Sequence, residues 1–246
     1  SLQTIEQLAN LQVRFAVEQW QTLTDSAVNN AELDAVNDLI ENAISLLQNL
    51  LNFGVSSERL SILASAYKRK AWVSSKDERS AALLQMLTYY QQASEAQPND
   101  NYPLFNYLTA QTIVGWAAKS ADKDWQADTE ALQHKFNTVV VFKPNGEQQA
   151  DFWKLVEYAD YQLLQHLSNE SLTQSQDIIV EHYLSAKQRA GSCKDFRSVT
   201  EHIEFLALMA ESQMPDAEKD KKNTMVNALR YILMKLTRDD LGSVIA

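Results

Sequence analysis

The sequence predicts an all-α fold, with antiparallel helix pairs stacked as an α-solenoid of about ten helices. Three observations carry this. Glycine (5) and proline (4) are scarce in 246 residues, and a fold of many short strands needs more turn residues than that. Apolar residues recur at three- and four-residue spacings along nearly the whole chain. Finally, a helix-turn-helix pattern in residues 58–118 starts again after a short break. It reads Leu60-x2-Leu63-Ala64-x2-Tyr67, then Met86-x3-Tyr90-x2-Ala93 ending at Pro98, then Leu104-x2-Tyr107-Leu108-x2-Gln111.

The elements follow in order. Leu2, Ile5, Leu8, Phe15, Trp20 and Leu23 place a helix over 2–24, and the polar run Asp25 to Asn30 breaks it. A wide stripe from Leu33 to Leu51 predicts a second helix over 31–53, with Gly54 at its C-terminal cap. Ser56 or Ser57 caps a third, 57–74, with Glu58 in its first turn. Ser75-x-x-Glu78 has the form of a capping box for a fourth helix ending at Ala96. Further helices are expected over 102–119 and 122–137. Val139 to Phe142 followed by Pro144-Asn145-Gly146 reads instead as an extended segment and a turn. A seventh helix is expected from about Glu147, carrying Phe152, Trp153, Leu155 and Val156. Ser171-x-x-Gln174 marks the eighth, ending near Gly191, and Ser192-x-x-Asp195 the ninth, ending near Ser212. Met214-Pro215 breaks the chain before a last helix over 216–237. No linker divides these elements, so a single domain over 1–246 is expected.

The 58–118 pattern resembles the tetratricopeptide (TPR) repeat, W-x2-L-G-x2-Y, then A-x3-F, then P. The period from Leu60 to Leu104 is 44 residues, against about 34 in the consensus, so both helices of the hairpin are longer than standard. The resemblance implies a concave peptide groove lined by first helices. It points to Lys68 and Asn106 as groove residues, Asn106 falling where such repeats place a peptide-clamping asparagine, with Tyr67 and Gln111 beside them. Residues 58–210 are also similar to helical regions of bacterial multidomain proteins that accompany caspase-like (CHAT) or other signalling effector domains. The residues concerned are Tyr102-Pro103-Leu104-x-Asn106, Asp151-Phe152-Trp153, Arg189-Ala190-Gly191-Ser192 and Ser198-Val199. That likeness implies a recognition or regulatory module whose catalytic part, if any, lies elsewhere.

The residues themselves argue against chemistry. His134, His166, His182 and His202 lack the Glu-x-x-His and His-Glu-x-x-His spacings, and a lone cysteine excludes a zinc knuckle. No metal and no cofactor are expected. There is no G-x-S-x-G and no glycine-rich phosphate loop. A rival reading is a helical enzyme centred on a reactive Cys193, at a predicted helix start beside Lys194 and near Arg197, or on a carboxylate cluster. The net charge of -10 argues against nucleic acid or an anionic membrane as partner. Two basic clusters, Lys68 to Arg79 and Lys187 to Arg197, read as cations at solvated helix ends. The sequence therefore predicts a non-enzymatic scaffold for a protein or peptide, of bacterial signalling type and cytoplasmic.

Overall fold

The computed structural model describes residues 1–24, 30–120 and 151–238. Nine α-helices and two short 3-10 helices, with no strand, form the architecture among these residues. The helices are α1 (Leu2–Thr24), α2 (Asn30–Leu50), α3 (Ser57–Val73), α4 (Lys76–Ala96), α5 (Asn101–Ser120), α6 (Phe152–Ser168), α7 (Leu172–Lys187), α8 (Cys193–Gln213) and α9 (Lys219–Thr237). Contacts divide the chain into two compact units, Ser1–Val114 and Gly115–Ala246. The expected helix over 122–137 and the extended segment over 139–146 lie outside the described residues.

In the first unit, α1 packs on α2, α3 packs on α4, and α3 also meets both α1 and α2. This is the stacking of one helical hairpin on the next. The large side chains of α1 are not what it buries. Its core positions are Ala9, Val13, Ala16 and Val17, whereas Leu8, Leu11 and Phe15 are exposed. Small inward residues let neighbouring helix backbones approach closely, and the bulky residues of the same periodicity are left outside.

Polar side chains fix the helix ends. The α2 helix tightens into a 3-10 turn, Leu51–Phe53, and ends at Gly54, whose φ of 124° is unfavourable for any residue with a Cβ. Arg59 holds this turn. Its guanidinium donates to the Glu6 carboxylate of α1 at 2.5 Å, to the Leu50 carbonyl at 3.4 Å and to the Gly54 carbonyl. Ser56 caps α3 by accepting from the Arg59 backbone N–H at 3.2 Å. The capping box at Ser75 forms differently from expectation. The Ser75 hydroxyl donates to the Glu78 carboxylate itself at 3.2 Å and makes no bond to a backbone N–H. Arg79 meanwhile reaches back to the Ala71 and Ser74 carbonyls, both at 2.9 Å, and so closes the C-terminus of α3.

The tightest pairing is α3 with α4. Leu63, Ala64, Met86, Tyr90 and Ala93 are fully buried, and the Ser57 hydroxyl donates to the Ala93 carbonyl at 2.9 Å. A side chain of one helix thus touches the backbone of the other beside a residue that carries only a methyl group.

In the second unit, α6 pairs with α7, α8 with α9, and α7 with α9. The α6 helix begins at Phe152, later than the expected Glu147, because Asp151 in extended conformation caps it, accepting from the Lys154 N–H at 2.9 Å. Phe152 is buried and Trp153 exposed, their rings edge to face at 4.7 Å. Ser171 precedes α7 but does not cap it; its hydroxyl bonds His166 Nδ1 at 2.8 Å. The α7 helix ends at Lys187, short of Gly191, as the turn bonds from Arg189 and Ala190 replace helical ones. Buried Tyr183 on α7 donates to Asp160 on α6 at 2.6 Å, and Tyr231 on α9 donates to Asp177 on α7 at 2.7 Å.

Candidate binding surface

The candidate groove residues stand on α3 and α5. The four residues named from the sequence fall in different settings. Lys68 is half-buried on α3. Tyr67 is buried: its ring stacks on Tyr89 of α4 at 5.7 Å, and its hydroxyl accepts from Gln48 of α2 at 3.1 Å. Burial first, then Tyr89 and Glu41, pushes its phenol above the ordinary tyrosine range. Tyr67 therefore joins three helices and offers little to a ligand. Asn106 is half-buried on α5 and donates to the Tyr102 carbonyl of its own helix at 2.9 Å. Gln111, also half-buried, has a buried Oε1 without a hydrogen-bond partner. At five residues' separation Asn106 and Gln111 lie about 140° apart around α5, so they do not share a face.

A second group, which the sequence does not announce, is brought together by three helices. Arg69 on α3 donates to Ser65 one turn earlier, at 2.5 Å to the hydroxyl and 3.3 Å to the carbonyl. Fully buried Tyr90 of α4 has Ser65 and Arg69 of α3 and Tyr102 of α5 as its polar neighbours. Tyr102 itself is 58% exposed. Burial, reinforced by the Tyr102 phenol, holds Tyr90 well above the ordinary range; the Arg69 charge opposes this and does not prevail. Tyr90 thus stays protonated. The outcome is a polar cluster around buried Tyr90, with Arg69 bonded to Ser65 and Tyr102 as its exposed member. The i, i+4 spacing of Ser65 and Arg69 was the one available signal, and on its own it reads as an ordinary solvated helix face.

Four other cations of the two basic clusters have partners within the fold. Lys70 pairs with Glu41 of α2, and Arg79 caps α3. Lys187 donates to the Leu236 carbonyl at 3.1 Å and lies over the Phe196 ring, while Arg197 pairs with Glu201 at 3.1 Å. Among the described residues no group of three or more His, Cys, Asp or Glu is placed to hold a metal ion. The Cys193 side chain lies outside what the structure describes, although its backbone opens α8. Among the described residues, no helix is long and apolar enough to cross a membrane.

Residues 2–111 match the family model of the Tetratricopeptide Repeats-Sensor family, TPR-S. The amino-terminal hairpins are a TPR-like helical repeat. The match covers α1 to α4 and the first half of α5, so both Arg69 and Tyr102 lie within it. Repeats of this kind serve protein–protein interaction. Neither a curated protein nor a solved structure matches the chain.

Proposed function

We propose that the chain is a non-catalytic scaffold that binds a protein or peptide on the α3–α5 face, as the recognition or regulatory module of a bacterial, cytoplasmic signalling protein. The observation that carries this reading is the polar cluster of Ser65, Arg69, Tyr90 and Tyr102 inside the TPR-like repeat. Its parts suit a peptide. An exposed tyrosine ring supplies contact area at low entropic cost, a braced guanidinium takes a carboxylate or carbonyl in two hydrogen bonds, and Lys68 and Asn106 stand on the same two helices. Preorganisation matters because side chains already ordered in the free protein lose little entropy on binding.

The test is a peptide-array and pull-down screen with the wild-type chain, repeated with Tyr102→Ala and Arg69→Ala. Specific peptides that bind wild type and lose at least about tenfold in affinity in these variants, as central contacts do, support the reading. A screen that returns nothing, or binders indifferent to both substitutions, removes it.

A further inference from the structure

We draw no further inference here: the strongest candidate, the side-chain cluster of His166, Ser171 and Ser175 at the corner between α6 and α7, closes the turn between two helices of the fold, and nothing else among the described residues points to a ligand or partner there.

Discussion

Ala93→Leu tests the hairpin register at its tightest point. Ala93 is fully buried on α4, one turn from fully buried Tyr90, and its carbonyl accepts the Ser57 hydroxyl of α3 at 2.9 Å. A leucine adds three heavy atoms where the other helix's backbone is within a side chain's reach. Overpacking of this kind costs about 1–3 kcal/mol. Prising the helices apart also removes the Ser57 bond, which is worth about 1 kcal/mol more. The total expected loss is about 2–4 kcal/mol, or a fall of roughly 1 M in the urea midpoint at ordinary slopes. The assay is urea unfolding of the full chain, read by far-UV circular dichroism and by tryptophan fluorescence, to which buried Trp72 of α3 contributes. Since the chain has two compact units, the transition of the first is followed separately. Two controls isolate the cause. Ser57→Ala removes only the hydrogen bond and should cost about 1 kcal/mol, while Ala81→Leu, at an exposed site on the same helix, should stay within about 0.5 kcal/mol of wild type. If Ala93→Leu unfolds at the wild-type midpoint, α3 and α4 do not meet at Ala93 and the register is refuted.

Glu170→Gly relieves a left-handed backbone, φ 54°, at the end of α6. It should stabilise by about 0.5 kcal/mol in urea after loss of the exposed Lys221 contact. Glu6→Gln takes the charge from the partner of part-buried Arg59, which keeps its Leu50 and Gly54 carbonyl bonds, and a loss of about 1 kcal/mol is expected by the same measurement. Tyr90 and Tyr183 are fully buried and both held well above the ordinary tyrosine value of 10.0. Above pH 10 the unfolded chain sheds these two protons and the folded one keeps them, so stability is intact below pH 10 and falls as pH rises beyond it. In urea titrations from neutral to alkaline pH, Tyr90→Phe and Tyr183→Phe should each flatten that fall.

The helices were legible because periodicity and end signals agree. Leu2–Thr24 and the end of α4 at Ala96 stand where the sequence placed them. Gly54 and Ser56 mark their turn because one supplies a positive φ and the other a side-chain acceptor. Burial was less legible. A period identifies a face without saying which of two apolar faces is inward, and in α1 the inward one is the smaller-residue face of Ala9, Val13 and Ala16. The cap at Ser75 shows a similar limit: the S-x-x-E spacing was present, but Arg79 reorganised the corner. The polar cluster was hardest to see. Ser65 lies 25 residues from Tyr90 and 37 from Tyr102 in sequence. Only the superposition of three helices joins them, and Tyr67 and Tyr90 look alike in the pattern although one is bound into packing and the other stands at the centre of the polar cluster.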